Sequence, residues 1–103
     1  MATSKEFHDY VVDCLLRAAD ITTRKMMGEY CVYYCGKVVG LMCDDMLLLK
    51  KTPTSERLLS DCELTYPYEG SKTLMYITEN FEDENLMQEV LDGMYNELPF
   101  PKK

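Results

Sequence analysis

From Glu29 to Lys50 the sequence reads EYCVYY, CG, KVVGLMC, DD, MLLLK: apolar runs separated by two-residue breaks. The first run is rich in β-branched and aromatic residues, which suit a pleated strand. Cys35-Gly36 stands where a tight turn is wanted, and glycine at its second position accepts the positive φ of a type I′ turn. Asp44-Asp45 is the second break, because aspartates are ordinary turn formers. KVVGLMC returns as the second strand and MLLLKK as the third. A chain built around this meander is committed to an antiparallel sheet.

The flanks read as helices. Over residues 4 to 19, Phe7, Tyr10, Val11, Cys14, Leu15 and Ala18 follow the helical apolar spacing. Thr3 with Glu6 fits a capping box. Asp20 breaks the pattern before ITTRKMMG, and TRKMMGEY reads as a methionine-rich loop. Thr52-Pro53 starts a short helix over about 53 to 61 that buries Leu58 and Leu59. LTYPYE and TLMYIT read as two short strands joined by EGSK, with Pro67 confining the first to an edge. A last helix spans roughly 84 to 96, capped by Asp83, with Leu86, Met87, Val90, Leu91 and Met94 as its stripe and Gly93 weakening it modestly. The predicted order is α-β-β-β-α-β-β-α: a two-layer α+β domain with helices on one face of the sheet. At 103 residues, the chain is expected to form this one domain across 1–103.

Eighteen acidic against eleven basic residues give a net charge of −7. Nucleic-acid binding draws its affinity from cations that displace phosphate counterions, so direct binding by this chain alone is disfavoured. A protein partner or a small ligand is the better default, with a homodimer as a candidate assembly. No apolar run reaches the ~20 residues of a membrane span, and the N-terminus lacks the basic and apolar blocks of a secretory signal. The expected location is the cytoplasm.

The five cysteines are an odd number, so intramolecular disulfides cannot use them all. Cys31 and Cys35, four apart on a strand, lie about 13 Å from each other, too far to share one zinc ion. No metal site and no cofactor is expected, and cysteine as a small apolar residue is the favoured reading over a redox pair. His8 falls off the apolar stripe and is expected to face solvent. No phosphate loop, nucleophile elbow or dinucleotide fingerprint occurs, so an enzyme is not expected and no catalytic residue is named.

The loop TRKMMGEY holds the candidate binding residues. Methionines adapt to irregular partner surfaces, and arginine can make bidentate contacts. Met26 is read chiefly as closing the core, whereas for Met27 core and partner contact are balanced.

The same segment, ITTRKMMGEYCVY (21–33), resembles the signature of the TfoX/Sxy N-terminal domain family, I-T-x-R-x-M-F-G-x-Y-G-x-Y. CDDMLLLK (43–50) resembles that family's D-D-x-L-Y-L-K, and YPYEGSKTLMYIT (66–78) its P-Y segment followed by M-S-Y. Nearly the full chain is covered. The resemblance implies an α+β fold like that of secretion chaperones. It also implies a link to natural competence, where full-length members act with the cyclic-AMP receptor protein to activate DNA-uptake genes and carry a further C-terminal domain. A stand-alone, single-domain regulator is therefore expected, with a protein partner in the transcription machinery. Met27 departs from the family's phenylalanine and Cys31 from its glycine. Arg24, Met26, Gly28 and Tyr30 keep the pattern and, with Met27, are the candidate partner-binding residues. The alternatives are an acidic, chaperone-like peptide-binding module and, behind it, a thiol-dependent redox protein.

Overall fold

The computed structural model describes residues 3–26, 29–67, 70–71 and 73–99. Helix α1 (Lys5–Leu16) is capped by Ser4, whose hydroxyl accepts from Phe7 N at 3.2 Å. The cap expected at Thr3 is displaced by one residue because Thr3 is buried against the Asp44-Asp45 turn. The Asp45 amide donates to the Thr3 hydroxyl at 3.4 Å, and Ser4 N donates to Asp45 Oδ1 at 2.7 Å. The first helix is thereby tied at its start to the middle of the chain. Val11, Cys14 and Leu15 are buried as the stripe requires. Tyr10, placed on that stripe by spacing, is 49% exposed. Its hydroxyl donates to Glu82 and its ring packs edge-on against Phe81, so a polar tip keeps it at the margin of the core.

The expected elements appear in the expected order, with one strand added. The sheet holds β1 (Ile21–Met26), β2 (Glu29–Tyr34), β3 (Lys37–Cys43), β4 (Met46–Lys50), β5 (Leu64–Thr65) and β6 (Met75–Ile77). Their spatial order is β1-β2-β3-β4-β6-β5, antiparallel throughout. Of the segment TRKMMGEY, read as a methionine-rich loop, Thr23 to Met26 belong to strand β1 and Glu29 and Tyr30 to β2. Ile21, Thr22 and Thr23 have the branched side chains a strand favours, and an edge position tolerates the charges of Arg24 and Lys25 that obscured it.

Cys35 and Gly36 both take positive φ, 51° and 86°, as a type I′ hairpin turn requires. Between β2 and β3 the register shifts: Val32 pairs with Gly40 and Tyr33 with Val38, which leaves Val39 as an extra, bulged residue. The two remaining helices are α2 (Pro53–Leu58) and α3 (Glu84–Glu97). Thr52 and Ser55 cap α2 reciprocally, and Asp83 caps α3 by accepting from Leu86 N at 3.1 Å. The Glu97 carboxylate holds the start of α2, accepting from Thr54 N at 3.0 Å and from the Thr54 hydroxyl at 2.7 Å.

The main core lies between the helices and one sheet face. Val11 and Leu15 of α1 and Met87, Val90, Leu91 and Met94 of α3 close over Val32, Met42, Leu47 and Leu49. A second, smaller apolar cluster sits on the opposite face, where Cys43, Leu48 and Met75 pack with Leu41, Met46 and Ile77.

Candidate functional site

Strand pairing fixes which face each side chain takes, since neighbours alternate and paired residues share a face. Leu47 and Leu49 face the helices, so Leu48 and its partner Leu41 face away; Cys31 pairs with Leu41, and Arg24 with Cys31. Arg24 and Met26 therefore stand on the helix-free face, at the edge strand. Both are exposed, Met26 by 48%, which overturns the reading of Met26 as a core-closing residue. The reason is local: the inner positions of β1 fall to Ile21 and Thr23, leaving Met26 on the outer face opposite Glu29.

Tyr30 goes the other way. It pairs with Met42 on the helix side, packs against the main core and stacks on His8 with ring centroids 3.9 Å apart. Tyr30 thus closes the core, and the structure parts it from Arg24 and Met26 by the thickness of the sheet. Met27 and Gly28 lie outside the described residues. His8, expected to face solvent, is wedged between α1 and the sheet. Its Nδ1–H donates to Asp9 Oδ1 at 2.9 Å, and its Nε2 lies 2.8 Å from the Thr23 hydroxyl. The flank of α1 is covered because the helix lies across β1 and β2, which helical spacing alone does not reveal. Bonding from His8, and then from Lys5, holds the Asp9 carboxyl below its ordinary value.

The helix-free face contains a groove of about 450 Å³. Met26, Val38, Leu41 and Met75, with Leu98 from the end of α3, supply its apolar lining, and Lys50 and Lys51 are its cations. Pro67, Ser71 and Thr73 border the groove on one side; Pro67 is buried, and its carbonyl accepts from Cys43 Sγ at 3.2 Å. Of these groove residues, sequence reading singled out Met26 as a candidate. Lys50 is the one lining residue that MLLLK supplies; that unbroken apolar run marks a strand with both faces covered but not which residues line the groove.

The thiols are dispersed. Cys14, Cys31 and Cys43 are buried, Cys62 is half-buried and Cys35 is exposed in its turn. Among the described residues no three His, Cys, Asp or Glu side chains converge to hold a metal ion. No helix among them is long and apolar enough to cross a membrane. Burial first, and hydrogen bonding with Glu29 second, push the Cys43 thiol from an ordinary 9.0 up to about 11. The bond from the Tyr34 hydroxyl to Asp92 at 2.5 Å, followed by burial, raises that phenol from 10.0 to about 12. Both folded values exceed the unfolded ones, so folding favours the protonated forms. Their contribution is complete below about pH 9 and lost as pH rises through about 11 and 12. Thermal melts should accordingly hold steady up to about pH 9 and then fall. The double variant Cys43→Ala with Tyr34→Phe should flatten that fall; an unchanged alkaline slope would assign it to other groups.

Compared with known proteins, the chain matches the TfoX N-terminal domain over residues 13–93. It is 32% identical over 102 residues to an uncharacterized 12.7 kDa protein in the trpE 5′ region of Spirochaeta aurantia, an alignment covering 99% of this chain and 89% of that protein. No solved structure matches.

Proposed function

The chain belongs to the TfoX N-terminal domain family, and from that premise we propose that it is a non-enzymatic cytoplasmic regulator of natural competence that works through protein contacts. The observation that carries the reading is the placement of Arg24 and Met26. Two residues of the family pattern stand exposed on the helix-free face, where they add nothing to the core, and Met26 borders an apolar groove. Exposed methionine beside arginine is a combination suited to a protein interface.

The contacting surface comprises Arg24 and Met26, with Tyr30 holding β2 in place from behind through His8. The expected partner is a component of the transcription machinery. Burial of Cys14, Cys31 and Cys43 argues against thiol chemistry at those three positions.

Affinity capture from the native host, with wild-type chain and the Arg24→Glu variant side by side, tests this reading. The expected result is a transcription-machinery protein recovered by the wild type and lost with the variant. Deletion should alter competence-gene expression, and complementation by Arg24→Glu should fail to restore it. Recovery of no such protein, together with unchanged expression on deletion, would sink the proposal.

A further inference from the structure

We infer that the groove on the helix-free face docks an extended segment of a partner protein, one that carries a large apolar side chain flanked by carboxylates. The inference rests on the protein-contact reading above and supplies the chemistry of the partner at that face.

Charge is the first argument. The chain is strongly acidic, with 18 acids to 11 bases, yet its strands invert that balance. They hold Arg24, Lys25, Lys37 and Lys50 against a single acid, Glu29. Lys37 is turned to the helix side, donating to the Tyr95 carbonyl at 2.6 Å and lying over the Tyr95 ring. Among the described residues of the helix-free face, Arg24 and Lys50 remain, with Lys51 beside the groove. Glu29, opposite Met26, is the one strand acid on this face, so Arg24, Lys50 and Lys51 still outnumber it there. Lys51 pairs with Glu56 at 3.3 Å, with both side chains substantially exposed, a contact that a partner carboxylate can replace at little cost. An apolar groove set among cations, on an otherwise acidic protein, selects an acidic-apolar occupant.

Shape is the second. About 450 Å³ accommodates one or two large side chains, far less than a folded domain presents. Two of the lining residues, Met26 and Met75, have flexible side chains that adjust to the shape of an inserted group. The groove also adjoins an edge: β1 is the terminal strand of the sheet, and Met26 is its last residue. A segment in extended form can run along that edge, pair with the outer backbone groups of β1, and turn one side chain into the groove. A second copy of this chain is a poorer occupant. Two identical faces meeting about a two-fold axis bring Arg24, Lys50 and Lys51 of both copies together with only Glu29 of each to offset them.

Fluorescence anisotropy with the full chain tests the inference. The probe is a fluorescein-labelled peptide with adjacent Leu and Phe flanked on both sides by Glu. Its controls replace every Glu by Lys, or Leu and Phe by Ala. Saturable binding of the Glu-flanked probe alone is expected, weakened about tenfold or more by Lys50→Glu and by Arg24→Glu. Circular dichroism would verify that each variant is folded. Amide exchange on the wild type gives an independent readout: added Glu-flanked peptide should slow exchange along β1. Absence of saturable binding, equal binding of the Lys-flanked control, or indifference to the charge reversals would overturn the inference. So would sedimentation showing a dimer that Lys50→Glu dissociates, since a second copy would then occupy the face. Should host-partner capture depend on Arg24 while the peptide fails to bind, only the groove chemistry falls and the protein-contact reading stands.

Discussion

Gly40→Ala is expected to cost about 3 kcal/mol or more, enough to leave much of the chain unfolded at 37 °C. A β-carbon at this position would lie 2.0 Å from the Leu48 carbonyl oxygen and 3.1 Å from Leu49 Cα. Both are backbone atoms of β4, so no side-chain rotation can relieve the overlap. Gly40 is paired on both sides, with Val32 of β2 and Leu49 of β4, at the point where Val39 bulges out of the ladder. The bulge tilts the chain so that the Cα–Hα direction of Gly40 points at the next strand instead of standing clear of the sheet. Separating β3 from β4 to admit a methyl group would open the sheet beneath Leu47 and Leu49, both in the main core. Denaturant titration of the variant should give a strongly lowered midpoint. If it does not fold, circular dichroism of the refolded material should lack the β signal. A variant within about 0.5 kcal/mol of wild type would mean that the bulge does not bring β3 and β4 this close.

The bulge marks the boundary of what the sequence made legible. Strands β2, β3 and β4 were readable because their apolar and aromatic runs are long and their turn residues unambiguous. Both Cys35 and Gly36 take the positive φ their turn implied. Helices α2 and α3 were readable from Thr52-Pro53 and Asp83, which cap as their chemistry dictates. Strand β1 was hidden because an edge strand has half its hydrogen bonds open to solvent and accepts charges, so ITTRKM lacks the apolar density of its neighbours. Gly40 did carry a hint, since a lone glycine within a strand pattern often marks a bulge or a close approach.

The candidate site was legible only in part, for a related reason. Segment 21–33 carried the family pattern, but alternation along paired strands sends its members to opposite faces: Arg24 and Met26 outward, Tyr30 inward. No reading of one segment could assign those faces before the strand itself was recognised. The groove was further out of reach, because Leu41, Lys50 and Met75 come from three strands whose adjacency exists only in the sheet order. His8 shows the converse error: helical spacing put it in water, whereas packing against Tyr30 and Thr23 takes it out.

Gly93→Ala separates the two levels of description by sign. Helix propensity alone predicts a gain of about 1 kcal/mol, because alanine restricts the unfolded chain and glycine weakens a helix interior. Packing predicts the opposite. A β-carbon on Gly93 would stand 2.4 Å from both Thr54 Cγ2 and Thr54 Oγ1, and 2.7 Å from Thr54 Cβ. Thr54 is buried at the start of α2, and its amide and hydroxyl are both bound to the Glu97 carboxylate one turn further along α3. The side chain that must yield is thus fixed by the same helix that carries the intruding methyl group. That bonding also holds the Glu97 carboxyl below its ordinary 4.5, so the contact weakens when acid protonates it. Overpacking of this kind costs about 1–3 kcal/mol, which outweighs the propensity gain at all but the bottom of that range. The expected result is a net loss of about 1 kcal/mol, at most about 2, on chemical denaturation, and Thr54→Ala should recover part of it in a double-mutant cycle. A stabilised Gly93→Ala variant would mean that α2 yields freely and that propensity governs this position. A destabilised one, partly rescued through Thr54, would establish that glycine stands in α3 to let the two helices meet.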